Sequence, residues 1–280
     1  MNQTGQTSPG ALPVLGAALT IGDLERLHNW VMEAGRDLEL QEFCYAEILN
    51  ADWKPLADRY KQLLDGHQGR VGLHGPFWGF EINTRDPDIA ALVTRRMMQC
   101  LDVCEYVGAD MMVVHSPYTA WDVNNEYNFE GDAEATIRRC RRIMGDPVKK
   151  AEDIGVTIVI ENVQDKDPHA RVQLAKSFES DAVRVSLDTG HAYYAHGMDG
   201  APPVDYFVAA AGKMLAHVHL QDADGCADRH WAPGEGTLRW RAVMDSIRRH
   251  CDAPRLILEL KDNSKLITGA EYLQGMGLGR

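Results

Sequence analysis

The amino-acid sequence predicts a single (β/α)8 TIM barrel. Short apolar runs alternate with longer amphipathic runs eight times along the chain. Its 280 residues also suit this fold, whose usual length is about 250 residues. No linker, repeat or low-complexity run divides the middle of the sequence. We therefore expect a disordered tail over residues 1–10 and one barrel domain over residues 11–280.

The eight short apolar runs are the predicted strands. A strand in a parallel barrel is buried on both faces, so it reads as a nearly continuous apolar run rather than as an alternating one. The predicted strands cover residues 13–18, 37–42, 70–75, 110–116, 156–161, 183–188, 214–220 and 255–260. Each is followed by a run with helical character, which favours a closed barrel with an outer ring of helices.

Two of the intervening helices carry start and stop signals. The run Pro87–Val107 follows Asp86, and a proline at the first helical position after an aspartate favours a helix start. Gly108 ends this run. A second helix is predicted over Asp132–Asp153 and ends before Gly155.

Six consecutive predicted strands, from the third to the eighth, end in a histidine or a carboxylate. Such side chains are costly to bury unless they are paired or bind a metal ion. The six residues are, in order, His74, His115, Glu161, Asp188, His219 and Glu259. In a barrel the C-terminal ends of all strands converge on one face, where the active sites of this fold lie. The sequence therefore predicts at least one divalent metal ion at this C-terminal mouth.

Four of these residues form the predicted primary metal set. They are Glu161, Asp188, His219 and Glu259. Three carboxylates and one imidazole suit Mg²⁺, Mn²⁺ or Co²⁺, and additional imidazoles favour Zn²⁺. His191 lies just past the sixth strand, and Asp228 and His230 are two residues apart in a later loop, so these three are candidate additional ligands. His217 shares the inward face of the seventh strand and is predicted to support the set.

The loop after the seventh strand leaves two interpretations open. Gly234 and Gly236 can offer backbone amides to a phosphate group, and Arg229 can add positive charge. Equally, the loop is a tight turn that orients Asp228 and His230.

At these positions the chain resembles the xylose-isomerase-like TIM-barrel superfamily. That group includes sugar isomerases and epimerases, inosose dehydratases, and the endonuclease IV class of apurinic-site nucleases. The resemblance runs from about the third strand to the eighth. It rests on Leu73-His74-Gly75-Pro76, Val114-His115, Ile160-Glu161-Asn162, Asp188-Thr189-Gly190-His191, Val218-His219-Leu220, Asp228-Arg229-His230 with Pro233-Gly234-Glu235-Gly236, and Glu259. In this order the motifs are specific for the superfamily, but not for one activity within it.

Two branches of the superfamily imply different sites. In the isomerases and epimerases, the primary set would hold one ion, Glu161 and Glu259 would act as acid and base, and His191 would contact the sugar. The other predicted substrate contacts are His74, His115, Phe77, Trp78 and Arg229. In the endonuclease IV class, nine ligands bind three Zn²⁺ ions, and this chain matches all nine. They are His74, His115, Glu161, Asp188, His191, His219, Asp228, His230 and Glu259.

The charge distribution favours a small-molecule substrate over nucleic acid. The formal net charge is −12, and the densest basic cluster, Arg138–Arg142, lies within a predicted helix rather than beside the mouth. Four acidic residues follow mouth-forming strands and would repel a phosphate backbone: Glu81, Asp122, Asp165 and Asp167. We therefore expect a metal-dependent isomerase or epimerase, or a related dehydratase, acting on a small keto-sugar or polyol. The alternative is a trinuclear zinc nuclease of the endonuclease IV type.

Composition sets the remaining expectations. The six cysteines lack the spacing of a metal finger or a disulfide framework, which predicts reduced thiols in a cytoplasmic protein. The apolar segment Ala11–Ile21 is too short to span a membrane. Neither a nucleotide cofactor nor a membrane partner is expected, and homo-oligomerisation is left open.

Overall fold

Eight parallel strands pair in chain order, and the pair between the last and the first closes them into a barrel. The computed structural model describes residues 12–128 and 131–280, so the tail predicted over residues 1–10 lies outside the described residues. The strands are β1 (Leu15–Leu19), β2 (Leu38–Leu40), β3 (Val71–His74), β4 (Met111–His115), β5 (Thr157–Glu161), β6 (Val183–Asp188), β7 (Leu215–Leu220) and β8 (Arg255–Leu258). The predicted (β/α)8 barrel is confirmed.

Helices follow every strand and surround the barrel. They are α1 (Ile21–Glu33), α2 (Ala46–Asn50), α3 (Lys54–Leu63), α4 (Pro87–Val107), α5 (Ala120–Asn124), α6 (Asp132–Ile154), α7 (Ala170–Ser177), α8 (Thr189–Asp199), α9 (Val204–Ala211), α10 (Trp240–His250) and α11 (Leu266–Gly275). The start of α4 is capped as predicted, because the Asp86 side chain accepts from the amides of Asp88 and Ile89. Gly108 ends α4 in the left-handed conformation, at φ 76°.

Only β6 has both of its predicted bounds, and the other strands differ by one to two residues at one end or both; β2 and β8 show the differences that matter for the site. β2 covers three residues rather than six, because a 3-10 turn over Glu42–Cys44 takes over the chain after Gln41. The Glu42 carboxylate there accepts from the amide of Ile21 at 2.6 Å, which ties this turn to the start of α1. β8 ends at Leu258, so Glu259 lies one residue beyond the strand, where its amide donates to the carbonyl of Leu220 at 3.3 Å.

Charged residues at the N-terminal end of the barrel are paired with one another. Asp37 accepts from the backbone amide and the guanidinium of Arg70, both at 3.0 Å. Arg255 pairs with Asp110 at the same end of the barrel. The Arg36 guanidinium donates to the carbonyl of Leu15 at 2.9 Å, close to the chain terminus. This end is therefore held by permanent ion pairs and hydrogen bonds.

The six cysteines are free thiols, and four of them are buried. In the described part of the chain, no helix combines the length and the apolar character that crossing a membrane would require.

We predict that Gly16→Ala destabilises the barrel at the pairing of β1 with β2. A Cβ atom at Gly16 would lie 2.2 Å from the carbonyl oxygen of Asp37, so the two strands would have to separate. Backbone shifts of this kind typically cost about 1–3 kcal/mol, and denaturant unfolding should show a loss at least that large. Gly22→Ala in α1 is the matched control, because its Cβ would meet no atom within 4 Å. Equal unfolding midpoints for the two variants would contradict this account.

Candidate metal centre

The barrel brings the four residues of the primary set together at the C-terminal mouth. Glu161, Asp188, His219 and Glu259 each offer a donor atom, and these atoms all lie within 4.8 Å of one another. His219 Nδ1 is 2.9 Å from Glu161 Oε1 and 3.4 Å from Glu259 Oε2. Glu259 is partly exposed, and the other three are buried. Two carboxylates thus approach one imidazole nitrogen closely, and Asp188 completes the group.

Asn162 and Asp188 lock neighbouring strands of the mouth together. The Asn162 side chain accepts from the Asp188 amide at 2.9 Å and donates to the Asp188 carbonyl at 3.0 Å. The Asp188 carboxylate in turn caps α8 by accepting from the His191 amide at 2.7 Å. Burial raises the pKa of Asp188 to about 6, although His191 opposes this shift. A nearby positive charge would favour the ionised form of Asp188 and so offset the effect of burial on its pKa.

A second group consists of His74, His115 and Glu161. Both histidines place Nε2 at 3.7 Å from Glu161 Oε2, a buried atom with no hydrogen-bond partner among the described residues. Bonds from zinc to nitrogen or oxygen are about 2.0–2.2 Å long, so two donors of one ion lie at most about 4 Å apart. Burial lowers the pKa of His115 to about 3, so its ring is neutral. This group fits a divalent ion, which would satisfy the unpaired carboxylate oxygen.

A third group consists of His191, Asp228 and His230. The two oxygens of Asp228 lie 3.3 Å from His191 Nε2 and 3.2 Å from His230 Nε2. His230 adopts a left-handed backbone conformation at φ 49°, which is uncommon for a residue other than glycine. Although burial lowers the pKa of His230, its pairing with Asp228 outweighs this effect and raises the pKa to about 9. The pair therefore requires a cation between its members, either a proton or a metal ion.

Three of the candidate histidine ligands are oriented by main-chain carbonyls. His74, His191 and His230 direct Nδ1 at the carbonyls of Gly75, Asn162 and Glu259, at 2.9, 2.9 and 3.2 Å respectively. Because a carbonyl oxygen only accepts, Nδ1 must carry the hydrogen, and Nε2 is the nitrogen left with a lone pair for a metal ion. Histidines that ligate metals are usually held in this way. The donor atoms present therefore fit a metal centre.

Gln221 connects the primary set with the third group and was missed by the sequence analysis. Its amide nitrogen donates to the carboxylates of Asp188 at 3.1 Å and Asp228 at 2.9 Å. Gly190 permits this position, since a Cβ there would lie 2.3 Å from the Gln221 side chain. The period-two pattern that places His219 inward also places Gln221 inward, and this signal was available in the sequence.

The loop after β7 is a tight turn built around a buried carboxylate. Asp222 accepts from the amides of Gly234 at 2.9 Å and Leu238 at 3.1 Å, and from the indole nitrogen of Trp240 at 3.0 Å. The amide of Gly234 is therefore already engaged. Of the two interpretations that the sequence left open, this geometry favours the turn over a phosphate site.

Arg229 also has partners within its own loop. Its guanidinium pairs with Asp224 at 2.8 Å and lies over the ring of Trp231, 5.3 Å from the ring centroid. Arg229 was predicted to bind the negative charge of a substrate, but Asp224 already supplies that charge.

A pocket of about 540 Å³ opens beside His115. Its walls include Phe77, Trp78, Glu81 and Asp122, and none of its lining residues, all in the described part of the chain, is a lysine or an arginine. Phe77 stacks on the His115 ring, with centroids 4.3 Å apart. The pocket is therefore aromatic and acidic, and it borders the second group.

The expectation that Asp165 repels a phosphate backbone is wrong. Asp165 is buried and accepts from the Ser116 hydroxyl at 2.8 Å, so it is not exposed at the surface that a phosphate backbone would contact. Burial raises its pKa to about 6, against the opposing effect of Arg171.

Glu39 in β2 is a further residue that the sequence analysis missed. It is buried beneath the primary set, with Oε1 3.0 Å from His219 Nε2 and Oε2 3.2 Å from His217 Nε2. A glutamate between Leu38 and Leu40 inside an apolar run is a visible signal in the sequence, but it lies within a predicted strand rather than at its end.

Comparisons with known proteins place this geometry in context. A family model described as a xylose isomerase-like TIM barrel matches residues 38–277. The uncharacterized protein MJ1311 of Methanocaldococcus jannaschii is 21% identical over 195 residues, which covers 67% of this chain but only 63% of that protein, less than two thirds of its length. Fructoselysine 3-epimerase of Escherichia coli O157:H7 is 40% identical over 47 residues, 17% of each chain.

Among solved structures, the TTHB071 protein of Thermus thermophilus, soaked with ZnCl₂, superposes with a TM-score of 0.71. The match covers 95% of this chain and 99% of that chain, at 23% sequence identity. A likeness at this level of identity shows the fold.

We predict that zinc-loaded, desalted protein retains two or three ions per chain. The double variant His74→Ala/His115→Ala should lose one ion, because it removes two of the three donors of the second group. Elemental analysis of the desalted protein measures the stoichiometry. His250→Ala, an exposed histidine at the end of α10, is the control and should retain the wild-type number. One ion in every variant would mean that the second and third groups do not bind metal.

Proposed function

The chain belongs to the xylose isomerase-like TIM-barrel family, and we propose that it is a divalent-metal-dependent isomerase or epimerase of a small keto-sugar or polyol that carries no phosphate. The observation that carries the proposal is the convergence of Glu161, Asp188, His219 and Glu259 within 4.8 Å at the barrel mouth. The short match to fructoselysine 3-epimerase supports a carbohydrate substrate.

The primary set would hold the ion on which the reaction depends. Its carboxylates suit Mn²⁺, Co²⁺ or Mg²⁺, and the surrounding histidines extend the choice to Zn²⁺. When bound, a divalent ion supplies Lewis-acid catalysis next to a carbonyl group, which lowers the cost of removing a proton from the neighbouring carbon.

Glu161 is suited to act as the base. Burial would raise its pKa, but the facing histidines, His219 first among them, outweigh this and hold the pKa well below its ordinary value. The carboxylate is therefore ionised, and in the form that holds an ion in the primary set alone, its Oε2, which has no hydrogen-bond partner among the described residues, is free to accept a proton. In the proposed reaction, Glu161 takes the proton from the carbon next to the substrate carbonyl.

Glu259 is suited to act as the partner acid. Its Oε2 and Glu161 Oε1 approach the same nitrogen of His219, at 3.4 and 2.9 Å, so both carboxylates can serve one small substrate. Return of a proton to the opposite face of the same carbon gives epimerisation, and return to the neighbouring carbon gives isomerisation. A related dehydratase would share the proton removal and then expel a β-hydroxyl group.

The walls of the mouth support a substrate without phosphate. The pocket beside His115 contains Glu81 and Asp122, which would repel an anion. The Gly234 amide is bonded to Asp222, and Arg229 is paired with Asp224. Aromatic walls from Phe77 and Trp78 suit the apolar faces of a sugar ring.

One observation favours a second candidate function, an apurinic-site nuclease of the endonuclease IV type. The nine residues that the resemblance matches to its ligands lie in three groups, and Glu161 is shared by two of them. The acidic pocket opposes this candidate, because a nuclease must attract the DNA backbone. The basic cluster Arg138–Arg142 lies on α6, where Arg139 is paired with Asp132 and donates to the carbonyl of Asn83, so its charge is already engaged.

We predict that Glu161→Gln leaves a folded protein whose turnover falls by at least 10²-fold. The amide keeps the volume of the side chain but cannot accept the proton, and removal of a general base typically costs about 10²–10⁴-fold. Steady-state kinetics at full metal occupancy measures the effect. The matched control Glu105→Gln, at an exposed position on α4, should retain wild-type turnover. Wild-type turnover in Glu161→Gln would remove Glu161 from the mechanism.

We also predict that the metal-loaded protein turns over an unphosphorylated keto-sugar, inosose or related polyol and does not incise abasic DNA. A panel of ketoses, each offered with and without a terminal phosphate, and a duplex carrying one abasic site separate the candidates. A higher kcat/KM for the phosphorylated forms would contradict the predicted substrate charge. Efficient incision that disappears in Glu161→Gln would instead establish the nuclease.

A further inference from the structure

Glu39 occupies a buried position directly beneath the primary set. Its side chain is only 3% exposed, and its Oε1 lies 3.0 Å from Nε2 of His219. The other nitrogen of the same ring, Nδ1, faces Glu161 and Glu259. His219 therefore lies between Glu39 on one side and the carboxylates of the primary set on the other.

This arrangement specifies which ring nitrogen carries hydrogen when a metal is bound. An ionised carboxylate only accepts hydrogen bonds, so the contact with Glu39 requires a hydrogen on Nε2 of His219. A neutral imidazole carries only one such hydrogen, which leaves the lone pair on Nδ1. Nδ1 is the nitrogen that points towards the donor oxygens of Glu161 and Glu259.

Glu39 is itself held by neighbouring side chains. Gln41 donates to Glu39 Oε1 at 2.8 Å. On the other side, His217 Nε2 lies 3.2 Å from Glu39 Oε2, without the alignment of a hydrogen bond. His217 Nδ1 lies 2.8 Å from the Ser186 hydroxyl, and this contact ties the His217 ring in β7 to β6. The carboxylate of Glu39 is therefore fixed from several directions.

His219 differs from three other candidate ligands in how its ring is oriented. His74, His191 and His230 rely on main-chain carbonyls, which no substitution removes. His219 relies on a side chain, so its orientation is open to a direct mutational test.

The alternative that Glu39, His217 and His219 bind an ion of their own is disfavoured by the chemistry of His219. Donor atoms of these three residues do lie within 4.8 Å of one another. However, an ion there would take Nε2 of His219, and an ion in the primary set would take Nδ1. The ring would then have to lose both hydrogens, which a neutral imidazole ligand does not do.

We propose that Glu39 is a positioning residue, which holds His219 with hydrogen on Nε2 so that Nδ1 presents its lone pair to a divalent ion in the primary set. The role concerns metal binding and does not depend on which reaction the protein catalyses. Removal of a carboxylate that orients a metal-ligating histidine typically weakens metal affinity about 10- to 100-fold.

The test measures Zn²⁺ affinity and stoichiometry in Glu39→Gln by competition with a chromophoric chelator. We expect the tightest site to weaken by about 10- to 100-fold, while the number of ions bound at saturation stays at the wild-type value. In ¹⁵N NMR spectra of the zinc-loaded wild type, a slowly exchanging imidazole Nε2–H signal should be present. This signal should exchange faster in Glu39→Gln, because its acceptor has lost its charge.

Asp37→Asn is the matched control. It makes the same change from carboxylate to amide just before β2, at the opposite end of the barrel, where Asp37 pairs with Arg70. It should lower the unfolding temperature without changing Zn²⁺ affinity. If Glu39→Gln does not fold, Glu39→Asp keeps the charge but withdraws it from His219, and its affinity should also fall.

Two results would overturn the proposal. Unchanged affinity in folded Glu39 variants would show that His219 is oriented without Glu39. Loss of one whole ion at saturation in Glu39→Gln would show that Glu39 is a ligand itself.

Discussion

The stability of the barrel mouth depends on how the negative charge of its buried and partly exposed carboxylates is balanced. Five carboxylates meet within a small volume: Glu39, Glu161, Asp188, Asp228 and Glu259. Within the described residues, no lysine or arginine forms an ion pair with any of them, and each contacts at least one imidazole. Carboxylates without compensating charge are expensive to bury. The site is therefore stable only if protons on histidines, or metal ions, supply the missing positive charge.

The opposite end of the same barrel solves the equivalent problem with arginine. Asp37 pairs with Arg70 and Asp110 pairs with Arg255, so the charge there is balanced permanently. At the mouth the balancing groups are imidazoles, which exchange a proton for a metal ion under ordinary conditions. The contrast explains why one end of the fold contributes stability and the other is suited to chemistry, as is general for this architecture. It also explains why the histidines are held so firmly by carbonyls and by Glu39, since a ligand that moves would leave the carboxylates unpaired.

The sequence predicts those parts of the fold and the site that local patterns determine, and it does not predict those that depend on contacts between distant residues. The strands were predictable because buried parallel strands are apolar throughout, and the strand ends were predictable because a barrel brings them to one face. Glu39 was missed because it lies within β2, one residue before its end, and its partner His219 is 180 residues away. The engagement of Gly234 by Asp222 could not be predicted either, because it depends on how a loop folds back onto one buried carboxylate.

The donor set alone does not select the reaction. A divalent ion polarises a carbonyl oxygen and a phosphoryl oxygen by the same electrostatic effect, so the nine candidate donors are compatible with sugar chemistry and with phosphodiester cleavage. Selection must come from the surface that the substrate crosses before it reaches the ion. Here that surface contributes Glu81, Asp122 and aromatic rings, and Arg229 in the loop after β7 is paired with Asp224. The carboxylates on this surface would repel a polyanion as it approaches. They would not repel a neutral sugar, which would also gain apolar contacts with Phe77 and Trp78. The walls of the mouth, rather than its ligands, thus carry the information about substrate class.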